Sequence, residues 1–230
     1  MLRYTIALFL LILSLPTFSQ LGGIKCTYVT TMDVKKGFME IEDDMVRQIM
    51  LERLRDDKKL YSLTFADGKY LFCKEPESID KMPLEIDVKS IYINFNDSAE
   101  IKQLGYGGKL YIICSRTNTY QWELTSETEI LFDKICYKAT LKNDPTITAW
   151  FTPDIPMGCA PLGYHGLPGL VVRMKTPIYT LNLSNITNVD KAVLEAPKDG
   201  KCVTEAEFEK LVYGYTKKLL DNAGSVKEYK

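Results

Sequence analysis

The 230-residue sequence has one histidine, no Cys-x-x-Cys pair, no Gly-x-Ser-x-Gly elbow and no surplus of positive charge. Each absence excludes something. A Ser-His-Asp triad would have to be built on His165, and no nucleophile elbow accompanies it. Without Cys-x-x-Cys there is neither a thioredoxin-like redox site nor a zinc ribbon. With 29 basic and 30 acidic residues the net charge is −1, which leaves no electrostatic footprint for DNA or RNA. After the first twenty residues no apolar run approaches the roughly 20 residues that a membrane-crossing helix needs.

What is present begins with an export signal. Arg3 supplies a positive n-region, Ile6 to Leu15 an apolar stretch, and Thr17 and Ser19 the small residues before cleavage at Gln20. This predicts a leader over residues 1–19 and a single domain over 20–230, exported to the periplasm or beyond. Six cysteines follow the leader: Cys26, Cys73, Cys114, Cys136, Cys159 and Cys202. An even number in an exported chain predicts structural disulfides, with the connectivity open.

Short alternating runs rich in β-branched and aromatic residues predict strands over 24–32, 60–65, 70–73, 91–95, 109–114, 120–124, 134–141, 146–151, 170–175 and 179–183. Asp67-Gly68 reads as a hairpin turn between the second and third, and residues 142–145 as a turn between Leu141 and Thr146. Gly105 to Gly108 lacks the Gly-Lys-Ser/Thr of a phosphate loop and precedes a strand pattern, so it reads as a turn. Acidic residues 42–44 open a helical pattern through Met45, Val46, Ile49, Met50 and Leu54. Thr204 with Glu207 forms a capping box ahead of Phe208, Leu211, Val212, Tyr215 and Leu219. The sum is an α+β domain: a curved antiparallel sheet with two helices, one near each end of the chain.

The most distinctive stretch runs from Trp150-Phe151-Thr152-Pro153-Asp154-Ile155-Pro156 to Gly166-Leu167-Pro168-Gly169-Leu170. Leu167-Pro168-Gly169-Leu170 reads as a type II turn, with proline setting φ at its second position and glycine supplying a positive φ at its third. Together with Trp122-Glu123-Leu124, Cys136-Tyr137-Lys138-Ala139-Thr140 and Ala149 it resembles the GLPGLI family of secreted bacterial proteins, whose biochemical role is undefined. The resemblance covers residues 24 to 185. It departs at Ile130 to Ile135 and at Gly158-Cys159-Ala160-Pro161, and the five cysteines other than Cys136 are particular to this chain, so no cysteine pairing is carried over. The pattern also suggests, by fold analogy, the half-barrel of periplasmic lipoprotein carriers, from which no function follows.

Catalytic residues cannot be assembled, and no cofactor is expected. Cys159 and His165, with Met157 or Asp154 nearby, are the candidate ligands for a metal, though their spacing matches no established chelate. Asp154 is the best-placed carboxylate for a hydrolase. The expectation is a non-enzymatic exported protein binding a small hydrophobic ligand, or a segment of another exported or outer-membrane protein. A metal-binding accessory protein for outer-membrane uptake and a carboxylate-dependent hydrolase are the alternatives.

Overall fold

The computed structural model describes residues 22–32, 44, 45, 48, 52, 58–76, 78, 86–177, 179–190 and 192–214. The leader and most of the segment expected to form the first helix lie outside them.

Twelve strands form one sheet: β1 (Gly23–Met32), β2 (Leu60–Ala66), β3 (Lys69–Lys74), β4 (Asp87–Asn94), β5 (Ala99–Tyr106), β6 (Lys109–Arg116), β7 (Trp122–Leu131), β8 (Lys134–Leu141), β9 (Asp144–Thr152), β10 (Leu170–Lys175), β11 (Tyr179–Val189) and β12 (Lys201–Cys202). Their spatial order is β12-β6-β5-β4-β3-β2-β1-β11-β10-β9-β8-β7. This corrects the expected half-barrel with two helices. The sheet is mixed, because β12 joins β6 in parallel, and it does not close, because β12 and β7 stand at its opposite ends. Two helices are not supported; the one continuous helix that the described residues give is α1 (residues 205–214).

Period-two burial explains the strands. On the inner face Cys26 and Tyr28 stand opposite Leu63 and Tyr61, Leu63 opposite Phe72, and Phe72 opposite Ile91. All are buried. The same face continues through Leu181, Met174, Ala149 and Ala139 on the other side of β1. On the outer face the stretch after β11 runs back across the sheet, packing Leu194 against Ala66 and Tyr92.

Turn chemistry is visible where the sequence placed it. Asp67 and Gly68 both take positive φ, 50° and 69°, as a two-residue hairpin turn requires. The capping box also forms: the Glu207 N–H donates to Thr204 Oγ1 at 3.2 Å and the Thr204 N–H to Glu207 Oε2 at 2.8 Å. The helix it starts lays Phe208 against Tyr106 and Tyr111, with ring centroids 6.3 and 5.3 Å apart.

The cysteine expectation is corrected. All six are free thiols and none is at disulfide distance from another. Strand order gives the reason: Cys26 on β1, Cys73 on β3, Cys114 on β6 and Cys136 on β8 sit on strands that are not neighbours. Only β6 and β12 are adjacent and both carry a cysteine, but Cys202 is aligned with Ile112, two residues short of Cys114.

Candidate functional site

Residues 153–169, between β9 and β10, form a loop that folds over the inner face of the sheet. Its ends are held together by Ile155, whose carbonyl accepts from the N–H groups of Met157 and Leu170 at 2.8 and 2.9 Å. A second pinch pairs Cys159 with His165 as bridge partners, with the Gly166 N–H donating to Gly158 O at 2.8 Å. Between these pinches Pro161–Gly163 makes a 3₁₀ turn.

Two tyrosines from the sheet hold the loop and the strand that leaves it. Tyr70, on β3, donates from its hydroxyl to Ala160 O and accepts from the Gly163 N–H, each at 2.9 Å. Tyr28, on β1, donates to Val171 O at 2.7 Å. Both rings are fully buried, and burial pushes both phenols well above their ordinary range. These hydroxyls act as fixed hydrogen-bond posts that satisfy buried backbone groups, Tyr70 in the loop and Tyr28 at the start of β10.

The Gly-Leu-Pro-Gly-Leu run is explained by close approach, which corrects the type II turn. Gly169 has no positive φ; a Cβ there would lie 2.1 Å from the carbonyl oxygen of Thr152. Glycine is required because the backbone ending β9 and that starting β10 meet at this point. Gly166, in contrast, has φ 92° and needs glycine for conformation.

The other sequence-nominated residues scatter. Trp150 is half-buried opposite Arg173 and packs against the core. Thr152 is fully buried, and Leu167 and Leu170 are core residues. Pro153 is exposed, and Pro156 and Pro168 sit within the loop. Asp154 is exposed and reaches Lys134 at 3.5 Å. Cys159 and His165 are brought together, but in an unreactive setting. Burial pushes the Cys159 thiol up to about 12, which leaves almost no thiolate at neutral pH. His165 is wedged edge-on between Phe95 and Tyr120, with ring centroids 5.1 Å away in each case. Desolvation lowers its pKa, and its Nε2 is buried without a protein partner. Its carbonyl accepts from the Trp122 indole at 2.9 Å. Among the described residues no three His, Cys, Asp or Glu side chains gather as a metal site.

Two features were missed in the sequence. Glu100, on the inner face of β5, is 2% exposed. It accepts from Ser115 Oγ at 3.3 Å, with Lys102 Nζ 3.6 Å away, and desolvation outweighs both to raise its pKa. Acidic residues are rarely this buried, yet nothing in the local pattern distinguishes Glu100 from a surface residue. The second feature is an apolar groove of about 270 Å³ between the loop and the sheet. Tyr61 and Val88 line it from β2 and β4, Tyr179 and Leu181 from β11, and Leu162 and Tyr164 from the loop. A separate cleft of about 380 Å³ lies between β6, β12 and the start of α1, lined by Ser115, Glu205 and both exposed cysteines, Cys114 and Cys202.

Comparison with known proteins returns likeness without an activity. Two solved structures of PNGF-II, in P21 and C2 space groups, share the fold at 14% identity, with TM-scores of 0.50 and 0.51. In each case 84% of this chain is covered, and it spans a third (33%) of the PNGF-II chain. No curated protein matches it. Residues 138–173, which run from β8 through the loop into β10, match a family described as "Protein of unknown function (Porph_ging)". The GLPGLI resemblance is compatible with that match.

Proposed function

We propose that this chain is an exported, non-catalytic binding protein that takes a short acyl or aromatic group into the groove beneath the signature loop. One observation carries the reading: the groove is lined mainly by apolar and aromatic side chains, and it lies beside a loop anchored by the buried Tyr70. Anchoring of this kind gives a rigid wall, which lowers the ordering cost of binding. The volume limits the ligand. About 270 Å³ is below the range of roughly 300–1,000 Å³ that encloses drug-sized ligands. At roughly 30 Å³ for each water-sized group, the space holds about nine such groups. A whole lipid does not fit; the end of one, or a single aromatic group, does. With the leader read from residues 1–19, this reading assigns the binding to the periplasm or to the outside of the cell.

The test is calorimetric titration of the mature protein with hexanoate, octanoate, decanoate and palmitate. Burial of each methylene contributes about 0.8 kcal/mol, so affinity rises about fourfold per carbon until the groove is full, then levels off. Ile86 stands at the groove mouth, 39% exposed. Ile86→Trp narrows that mouth and lowers octanoate affinity at least about tenfold, with the unfolding midpoint unchanged. Absence of binding by all four acids, or affinity that ignores Ile86→Trp, overturns the assignment.

A further inference from the structure

We infer that Cys114 and Cys202 form a two-sulfur site for a thiophilic monovalent cation, copper(I) being the ion whose chemistry it fits. These are the two exposed thiols of the six, and they line the same cleft of about 380 Å³ at the edge of the sheet. Cys202 stands opposite Ile112 in the parallel ladder of β12 with β6, and Cys114 lies two residues further along β6. Side chains at paired positions of a ladder, and at positions two apart along one strand, point to the same face. Gly200, two residues before Cys202, marks that face: a Cβ on it would meet the Ile112 side chain at 3.2 Å. Both sulfurs therefore project from one face, at diagonal positions of adjacent strands.

The diagonal suits a metal better than a disulfide. Strands about 4.8 Å apart and a two-residue rise of about 6.6 Å put the two Cα atoms about 8 Å from each other. A disulfide needs them within about 7 Å, because its sulfurs are only about 2.05 Å apart. At a zinc–thiolate bond length of about 2.3 Å, an ion between two thiolates holds the sulfurs up to about 4.6 Å apart, which takes up the difference. The register is also held against the slip that would close the gap. The Val203 N–H donates to Ile112 O at 3.0 Å and Gln103 Nε2 to Asp199 O at 2.8 Å, one bond on each side of Lys201-Cys202. Thiolates select copper(I) or zinc. Zinc takes four ligands, and among the described residues no third His, Cys, Asp or Glu joins the pair, whereas copper(I) completes its shell with two sulfurs in line. The carboxylates of the cleft are engaged: Glu207 accepts from the Thr204 N–H and Oγ1, and Glu205 faces Lys102 Nζ at 3.9 Å. The other four thiols do not compete, since burial pushes up Cys26, Cys73, Cys136 and Cys159.

The test is anaerobic titration of the reduced mature protein with copper(I) against the chromophoric chelator bicinchoninate. The protein withdraws one ion per chain, and two protons leave as the metal replaces them on the sulfurs. Cys114→Ser and Cys202→Ser each weaken withdrawal at least about hundredfold, with the unfolding midpoint unchanged because both side chains are exposed. Cys73→Ser, at the half-buried thiol of β3, leaves withdrawal as it was. Failure to withdraw copper(I), or withdrawal that survives either of the first two variants, overturns the inference. A Cys114–Cys202 disulfide in protein purified without reductant also overturns it, because the sulfurs would then meet across the diagonal. Octanoate binding in the groove is independent of all these outcomes.

Discussion

The signature loop and the β7–β8 hairpin occupy the same inner face of one sheet, yet their side chains meet opposite fates. In the loop, Met157, Cys159, Ala160 and Leu167 are all below 5% exposed, although the segment has little regular structure. In the hairpin, whose strands pair on both sides of a single bulge, five large apolar side chains are at least 40% exposed. Regular backbone bonding does not produce burial, and irregular backbone does not prevent it. What decides is whether another element lies across the face. The loop is itself that element for β1–β4, at the cost of buried backbone groups that Tyr70 must satisfy.

The largest effect is expected where the loop leaves no room. Gly169→Ala places a Cβ 2.1 Å from Thr152 O, a contact with backbone that no rotamer change relieves. A loss of about 3–5 kcal/mol is expected in urea unfolding, and a loss below about 1 kcal/mol would show that β9 and β10 separate freely here. Tyr70→Phe comes next. It keeps the ring in the core but leaves Ala160 O and the Gly163 N–H without their side-chain partner, at about 2–4 kcal/mol for the two buried groups. Unchanged stability would mean that water reaches beneath the loop and replaces the hydroxyl.

Much of the strand set was legible because it consists of short runs rich in apolar and β-branched residues: alternation is clean at Leu63, between Ser62 and Thr64, while Phe72, between Leu71 and Cys73, sits in a continuous apolar run. β5 was not legible. Its inner positions include Glu100 and Lys102, so no apolar alternation exists to be read. The capping box and the Asp67-Gly68 turn could be read because their signals are local. The groove could not, because its walls come from β2, β4, β11 and the loop, which only the fold brings together. The disulfide expectation failed for the same reason: cysteine count reports compartment, whereas pairing depends on which strands are neighbours. Gly169 was recognised as obligatory, but the reason assigned was φ, while the structure gives proximity.

A smaller effect with a definite sign belongs to Glu100, where the loop meets β5. A Cβ on Gly163 would sit 3.2 Å from its Oε1, so the loop itself contributes to the desolvation. Because the folded pKa is raised above the ordinary value of 4.5, the folded state holds this proton more tightly than the unfolded chain does. Ionisation therefore costs stability at neutral pH, and the cost disappears as pH falls below 4.5. Glu100→Gln removes it, so the variant should be as stable as the parent at pH 7 or more stable by about 1 kcal/mol. That advantage should shrink when unfolding is repeated near pH 4. A variant less stable at pH 7 would show that the pairing with Lys102 outweighs the desolvation.

The least effect is expected at the hairpin. Ile130 is 76% exposed, so in the dilute monomer it buries little surface for folding to gain from. Ile130→Thr keeps the β-branch that suits a strand and removes apolar area that already faces water, so unfolding at about 1 µM should shift by no more than about 0.5 kcal/mol. The contrast with Gly169→Ala does not depend on residue size, since the smaller change falls in the loop and the larger side chain in the hairpin. A loss of 2 kcal/mol or more, of the size that follows from uncovering a buried aliphatic side chain, would mean that something covers this face even in the isolated chain. The hairpin would then belong with the loop as part of the core.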